Sequence, residues 1–234
     1  MSEPRQQLDP DTALLLEEAR RRREEFREAV LEWAKKNLRN FPWRRDRTPY
    51  RVLVAEVILR RTTSTAALRV YEEFLRRWPD IEALSRADVG ELETLLKRVG
   101  YHKRRARILV EMAKYIVQNY GGTIPREEGA LLKIPHVGSY IAGAVLSLGY
   151  GVPAAMVDSN VHRILSRCFR RYLPKRGVAR AIQRLAGMLV PEEGHATYNL
   201  GLLDLGALVC RYDRPRCHEC PLSRLCDTAK SRIG

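Results

Sequence analysis

Residues 131–167 read LLKIPHVGSYIAGAVLSLGYGVPAAMVDSNVHRILSR, and this stretch decides the fold. Its second segment carries apolar residues at i, i+3, i+4 and i+7, the spacing of one helix face: Ile141, Ala144, Val145 and Leu148. In the turn before that segment, Pro135 ends the preceding structure, and Gly138 permits a backbone geometry that a side chain would oppose. The stretch therefore predicts two helices joined by a tight turn.

The turn in this stretch is a candidate binding site for a phosphate group. A tight turn that runs into a helix start exposes backbone N–H groups, and such groups suit an anion. An ordinary helical hairpin inside a core fits the turn alone about equally well. The candidate phosphate-binding residues are His136, Val137, Gly138 and Ser139.

Composition favours a soluble protein that binds a polyanion. The chain has 234 residues, 45% of them apolar, with a net charge of +14 and a pI of about 9.9. This excess of positive charge points first to nucleic acid. A basic membrane-surface protein is the weaker alternative because the charge is spread over the whole chain. The sequence has no apolar run of roughly 18 residues and a polar N-terminus without a signal peptide, so we expect an intracellular protein of the cytoplasm or nucleoid.

Helical periodicity dominates the chain, and no convincing strand appears, so the predicted fold class is all-α. Long helical patterns cover residues 12–40, 107–120, 178–189 and 198–209. In the first of them, the charged run 20–25 is expected to be a solvated helix face. Ser85 is expected to cap the N-terminus of a short helix.

Two carboxylates stand out as candidates for chemistry. Glu56 lies inside an otherwise apolar segment, where a carboxylate is costly unless it is paired or functional. The plainer interpretation of Glu56 is an exposed position of an amphipathic helix. Asp158 directly precedes a predicted helix, and an N-cap is its default role. That position also stabilises the ionised carboxylate, so capping and catalysis are compatible.

Two further stretches combine positive charge with groups that suit nucleic acid. Arg60, Arg61 and Thr62 belong to a basic, hydroxyl-rich run fitted to phosphates or to a loop that enters a duplex. Tyr101 follows a glycine and precedes basic residues, and an aromatic so placed can stack on bases or wedge between them. A tyrosine packed on a helix end is the alternative interpretation.

Four of the five cysteines lie close together near the C-terminus, at Cys210, Cys217, Cys220 and Cys226. In an intracellular chain this crowding indicates a metal or cluster site and not a disulfide framework. Zinc accepts four cysteine ligands, and so does a [4Fe–4S] cluster, and the spacing does not separate them. The fifth cysteine, Cys168, is expected to be a core residue.

Together these motifs resemble the helix–hairpin–helix DNA glycosylases that carry an iron–sulfur loop. That group contains endonuclease III, the MutY-type adenine glycosylases and the Mig-type thymine glycosylases. The resemblance rests on the hairpin IPHVG, the segment VDSNVHRI, the approach LDLGALVC and the spacing of the four cysteines. It covers nearly the whole chain from about Asn40 onward. One departure is His136, which stands where the family hairpin usually has glycine.

The resemblance implies two helical domains with a DNA-binding cleft between them. A six-helix barrel would span residues 43–152, with the helix–hairpin–helix at about 127–149. Residues 1–42 and 153–234 would form the second domain, with the cluster loop at 210–226. The resemblance also implies that the cofactor is a [4Fe–4S] cluster and not zinc.

The resemblance further implies roles for individual residues. Asp158 falls on the family's catalytic aspartate, and Glu56 falls where MutY- and Mig-like members carry a glutamate. Tyr140 replaces the lysine of the bifunctional members; a phenol cannot form a Schiff base, and tyrosine at this place is the Mig-type pattern.

We therefore expect a monofunctional glycosylase that removes thymine or uracil mispaired with guanine. Its expected partner is double-stranded DNA with a mismatched or deaminated base, bound by a monomer. A MutY-like adenine glycosylase acting opposite guanine or 8-oxoguanine is the alternative, and a non-catalytic iron–sulfur DNA-binding protein is a more distant one.

Overall fold

The structure, a computed structural model, describes residues 9–233 of the chain. Residues 1–8 and 234, which belong to the predicted second domain and include the N-terminus used to exclude a signal peptide, lie outside the described residues. The all-α prediction is confirmed, because the described part of the chain contains helices and no strand.

Twelve α-helices follow one another in the described residues. They are α1 (Pro10–Asn37), α2 (Pro49–Leu59), α3 (Ser64–Arg77), α4 (Ile81–Ser85), α5 (Val89–Leu96), α6 (His102–Tyr120), α7 (Glu128–Leu131), α8 (Ser139–Ala144), α9 (Ser159–Cys168), α10 (Val178–Leu189), α11 (His195–Leu208) and α12 (Asp227–Ile233). A π-helical turn, Val145–Gly149, continues α8. Within residues 9–233, no helix is long and apolar enough to cross a membrane.

Side-chain caps explain where several of these helices begin. Asp9, Thr48 and Thr63 each accept a hydrogen bond from a backbone N–H in the first turn of α1, α2 and α3. The predicted cap at Ser85 is wrong. Ser85 is the last residue of α4, where its hydroxyl donates to the Glu82 carbonyl, and Asp88 caps α5.

The chain divides into two compact units, residues 40–154 and residues 1–39 with 155–234. The predicted barrel and cluster domains, with boundaries after residues 42 and 152, stay a prediction.

In the unit of residues 40–154, α6 packs against α4 and α5, while α2 packs against α3, α8 and the π-helical turn. Phe74, Leu92 and Leu109 are buried in this unit. Gly149 ends the π-helical turn directly against the start of α2. A Cβ there would lie 2.8 Å from the Cα of Pro49, so this close approach requires glycine.

In the other unit, α1 packs against α10 and α11, and α9 packs against α10, α11 and α12. Phe26 and Val30 are fully buried on the inner face of α1. The prediction of a solvated face at 20–25 is wrong for Arg22. Its guanidinium donates to the Leu225 carbonyl and lies 3.3 Å from Oδ1 of Asp227, which draws this side chain inward.

Candidate functional site

The hairpin joins α7 to α8 by a turn whose left-handed residue is His136, with φ of 66°. The expectation that Gly138 supplies the unusual backbone geometry is therefore wrong. Gly138 is extended, with φ of −101° and ψ of 178°, and it precedes α8 without a side-chain cap. The first N–H groups of a helix have no intrahelical acceptor. Because Gly138 and Ser139 are exposed, this helix start is open to an anion.

Two contacts hold His136 in this conformation. Its carbonyl accepts a hydrogen bond of 3.0 Å from Nη2 of Arg60, and its Nε2 lies 2.7 Å from Oε2 of Glu111. The neighbouring Val137 is buried and anchors the turn. The hairpin is thereby tied to the end of α2 and to α6.

Beside the hairpin, a pocket of about 300 Å³ is lined largely by cationic side chains. The lining residues are Val57, Arg60, Arg61, Tyr101, Arg104, Arg105, Ile108 and His136. Arg60, Arg61, Tyr101 and His136 among the predicted site residues therefore come together here. Thr62, Val137, Gly138 and Ser139 do not line this pocket.

Three lining residues share an uncommon backbone conformation. Arg61, Tyr101 and His136 are the non-glycine residues of the described chain with positive φ, at 49°, 47° and 66°. Such conformations are costly for residues with a Cβ and persist only where surrounding contacts impose them, often at functional sites. The Arg61 guanidinium lies over the ring of Tyr101, 5.8 Å from its centroid, and Tyr101 is 61% exposed.

Glu56 and Tyr140 lie on two helices of the same unit that pack against each other, α2 and α8. Glu56 is half-buried in a helix whose neighbouring positions, Ala55 and Val57, are buried. Tyr140 is half-buried in the first turn of α8. Both side chains take part in interactions, so neither is a free surface group.

Asp158 caps α9, as the sequence predicts, and both of its carboxylate oxygens accept hydrogen bonds. Oδ1 accepts from the backbone N–H groups of Asn160 and Val161, each over 2.8 Å. Oδ2 accepts from the side-chain Nδ2 of Asn160 over 2.8 Å. These bonds fix the orientation of the carboxylate at the helix start.

Asn160 continues this hydrogen-bond network toward the cysteine-rich loop. Its Oδ1 accepts from Nη2 of Arg163 over 2.8 Å, and Nε of Arg163 donates to the carbonyl of Cys210 over 2.8 Å. Gly206 allows the close approach of α11 to Asn160, because a Cβ there would lie 2.5 Å from the Asn160 Cβ. The fixed carboxylate of Asp158 is thus linked to the first of the four clustered cysteines.

The four predicted ligand cysteines line one apolar cavity within their unit. They are Cys210, Cys217, Cys220 and Cys226. Cys168, which is buried as the sequence predicts, lines the same cavity. Among residues 9–233, no three Cys, His, Asp or Glu side chains converge on a single ion position. Four thiols around one cavity nevertheless form a chemically suitable donor set for a cluster whose iron atoms each take one thiolate.

The environments of these thiols differ. Burial raises the pKa of Cys220 to about 12. A hydrogen bond with Cys168 lowers the pKa of Cys226 to about 6. Arg167 also reaches this loop: its Nη1 lies 3.4 Å from Sγ of Cys210 and donates to the Arg211 carbonyl over 2.7 Å. A guanidinium beside the cavity suits an anionic thiolate cluster.

Residues 54–192 match the family described as HhH-GPD superfamily base excision DNA repair protein. The chain belongs to this superfamily. It is 35% identical over 207 residues to a thymine/uracil-DNA glycosylase of Methanothermobacter thermautotrophicus, covering 88% of this chain and 94% of that protein. It is 37% identical over 215 residues to a thymine-DNA glycosylase of Aeropyrum pernix, covering 87% and 93%. The solved structure of a thermostable thymine-DNA glycosylase superposes with a TM-score of 0.85 at 34% identity, covering 91% of this chain and 98% of that one.

Membership of the HhH-GPD superfamily and the similarity to thymine and thymine/uracil glycosylases confirm the resemblance inferred from the sequence. The roles of the individual site residues stay predictions. Sequence reasoning missed Asn160, Arg163 and Arg105. A polar residue two positions after a capping aspartate was a signal for Asn160, whereas Arg105 has no signal that separates it from its basic neighbours.

Proposed function

We propose that this chain is a monofunctional DNA N-glycosylase of base excision repair, which hydrolyses thymine or uracil from mispairs with guanine in double-stranded DNA. The observation that carries the proposal is the carboxylate of Asp158, both oxygens of which accept hydrogen bonds from N–H donors at the start of α9. Full-length similarity to thymine and thymine/uracil glycosylases supports the choice of base. The enzyme acts on DNA inside the cell as a monomer.

Asp158 supplies the negative charge that this reaction requires. Cleavage of an N-glycosidic bond develops positive charge on the sugar, centred on C1′. A carboxylate whose orientation is fixed in advance stabilises that charge without reorganisation during the reaction. The bond between C1′ and the glycosidic nitrogen breaks, water forms the new bond to C1′ and gives one proton to a carboxylate, and the nucleobase leaves with the glycosidic nitrogen.

Glu56 assists the departure of the nucleobase as a general acid or base. In its protonated form, Glu56 donates a proton to the departing nucleobase as the glycosidic bond breaks. In its ionised form, Glu56 orients the attacking water. Glu56 is half-buried in an apolar helix, and a carboxyl group in such a place is a candidate general acid or base. Two carboxylates with separate duties are the general arrangement of glycoside hydrolysis.

Because residue 140 is a tyrosine and not a lysine, water is the nucleophile. A lyase that proceeds through a Schiff base needs an amine at this place, and a phenol supplies none. The ring of Tyr140, at the first turn of α8, instead shapes the pocket for the flipped base.

The cationic pocket and the hairpin turn hold the DNA. Arg60, Arg61 and Tyr101 fill the gap left by the flipped base or contact the opposite guanine, with Thr62 beside them. The turn 136–139 binds a backbone phosphate through its N–H groups. Unpairing is least costly at a mismatch, which itself favours the correct substrate.

A [4Fe–4S] cluster held by Cys210, Cys217, Cys220 and Cys226 is part of this proposal. When bound, such a cluster would hold the C-terminal loop through these four thiolates. Arg163 and Arg167 bind the loop carbonyls around it, so these residues keep the basic segment after Cys210 in place.

Two alternatives predict different products. A MutY-like enzyme would release adenine opposite guanine or 8-oxoguanine, and it is less supported because the thymine and uracil enzymes match over nearly their whole length. A non-catalytic DNA-binding protein would release no base, and the paired candidates Asp158 and Glu56 argue against it.

The deciding experiment uses labelled duplexes with a single T·G, U·G, A·G, A·8-oxoG or normal pair. Each is incubated with the protein and then split into samples with and without hot alkali. Alkali-dependent cleavage at T or U opposite G supports the proposal. Cleavage at A supports the adenine alternative, cleavage without alkali identifies a lyase, and no cleavage of any duplex supports the binding protein.

A further inference from the structure

Arg105, on the first turn of α6, is only 4% exposed and bonds to main-chain carbonyls at the end of α2 and in the turn before α6. Its Nε donates to the carbonyl of Val57 over 3.1 Å, and its Nη2 donates to the carbonyl of Arg60. Its Nη1 donates to the carbonyls of Val99, over 3.1 Å, and Gly100. Within the described chain it has no ion-pair partner.

Arg105 supplies donors to carbonyls at the end of α2 and in the turn before α6, where the Val57 carbonyl also accepts from the backbone N–H of Arg60. The last carbonyls of a helix have no intrahelical partner, and a buried carbonyl without a hydrogen bond is destabilising. Val57 and Arg60 lie at the end of α2, and Val99 and Gly100 close the turn before α6. One planar guanidinium with five donors binds the carbonyls of both segments at once, which the single ammonium group of lysine cannot do.

Two of the four carbonyls that Arg105 binds directly precede left-handed residues that line the pocket. Arg60 precedes Arg61, and Gly100 precedes Tyr101. Fixing each preceding peptide group fixes the backbone on one side of each strained residue. The same guanidinium therefore restrains the backbone beside both residues, whose side chains meet with the Arg61 guanidinium 5.8 Å from the centroid of the Tyr101 ring.

We propose that Arg105 is a positioning residue that holds Arg61 and Tyr101 together as one preformed unit for entry into DNA. This inference rests on the proposed function for its substrate. Arg105 does not need to touch DNA itself. Its contribution is that the two loops reach the duplex already ordered, so that DNA binding does not have to order them.

The test compares Arg105→Lys with Arg107→Lys, the same change at an exposed position of α6. We expect Arg105→Lys to lower the single-turnover rate constant for base release by roughly tenfold or more, and Arg107→Lys to leave it unchanged. The same pair of variants is then made in a Tyr101→Ala background. In the Tyr101→Ala background, Arg105→Lys should lower the rate constant for base release much less, because the residue through which Arg105 acts is absent. An equal loss in both backgrounds would show a general structural defect and overturn the proposal.

Hydrogen exchange of the unliganded proteins separates this inference from the proposed function. Amides of residues 60–62 and 100–102 should exchange faster in Arg105→Lys, while the middle of α6 keeps its protection. Unchanged exchange in both loops overturns the positioning role. If the wild-type protein releases no base, the proposed function fails, and the exchange experiment still decides the role of Arg105.

A measurement on the wild-type protein covers the case in which Arg105→Lys does not fold. The Nε–H of Arg105, buried and bonded to Val57, should give a side-chain NMR signal that exchanges slowly with solvent. The signal of Arg107 should exchange rapidly. Rapid exchange at Arg105 would overturn the proposal without any variant.

Discussion

Asn160 binds both carboxylate oxygens of Asp158, with its backbone N–H on Oδ1 and its side-chain Nδ2 on Oδ2, each over 2.8 Å. One residue therefore sets the plane of the carboxylate as well as its position. The backbone bond would survive loss of the Asn160 side chain, whereas the bond to Oδ2 depends on it. A substitution of Asn160 therefore removes the bond to Oδ2 alone and tests whether the orientation of the carboxylate matters.

Replacement of Asp158 by asparagine should lower the rate of base release by about 100-fold or more, because the negative charge is lost where the sugar becomes positive. Asparagine caps helices well, so folding and DNA affinity should be nearly unchanged. Single-turnover assays on a T·G duplex and gel-shift titrations measure the two properties. Asp88→Asn, the same change at the cap of α5, is the matched control. Full activity of Asp158→Asn would remove Asp158 from the mechanism.

The change Asn160→Ala should lower the rate roughly tenfold, since Oδ2 loses its donor and the carboxylate gains freedom to turn. Binding of DNA should stay close to that of the wild type. The control is Asn119→Ala, because Asn119 is exposed and its Nδ2 bonds only to the Tyr115 carbonyl within α6. If the two variants are equally active, the side chain of Asn160 has no part in orienting Asp158.

Replacement of Cys226 by serine should reduce the iron and sulfide bound per chain and lower the melting temperature, because a cluster ligand and its link to the loop are lost. Iron and sulfide analysis with thermal unfolding measures both. Arg224→Ala is the control, since Arg224 is exposed in the same loop outside the predicted ligand set and should leave the iron content unchanged. Zinc in place of iron in the wild-type protein would contradict the proposed cofactor.

Introduction of lysine as Tyr140→Lys should create a DNA adduct that borohydride traps, because an amine then stands at the nucleophile position. Gel electrophoresis of the reduced complex detects the adduct. Tyr140→Phe keeps the ring without an amine and should give none. Absence of an adduct with lysine would argue against the position assigned to residue 140.

DNA binding should weaken steeply with added salt, and Arg61→Ala or Arg104→Ala should each reduce the slope of log K against log salt by about 1. Fluorescence anisotropy over a range of salt concentrations gives these slopes. Arg21→Ala is the control, because Arg21 on α1 already pairs with Glu17 at 2.6 Å. A flat salt response of the wild type would contradict docking through phosphates.

Features with local causes could be predicted from the sequence. Helical periodicity gave the all-α class, and the cap at Asp158 followed from chemistry within four consecutive residues. The burial of Cys168 followed from its place on an apolar helix face.

Features imposed by distant contacts could not be predicted. Gly138 was expected to adopt the unusual turn geometry, yet contacts from Arg60 and Glu111 impose it on His136. Arg105 is one of three consecutive basic residues, and only the packing of α6 against the end of α2 distinguishes it. The inward turn of Arg22 likewise depends on Asp227, more than 200 residues away.

The left-handed residues of the pocket have a consequence for engineering this protein. Glycine adopts positive φ freely, so replacing Arg61, Tyr101 or His136 with glycine relieves strain of ~1 kcal/mol at each site. At His136, loss of the contact with Glu111 opposes this gain, so a library screened only for heat resistance would accumulate glycine at Arg61 and Tyr101. Each such substitution would remove a side chain proposed to contact DNA, so the selected variants would be more thermostable and less active. Selection for thermostability in this protein should accordingly be coupled to an activity screen.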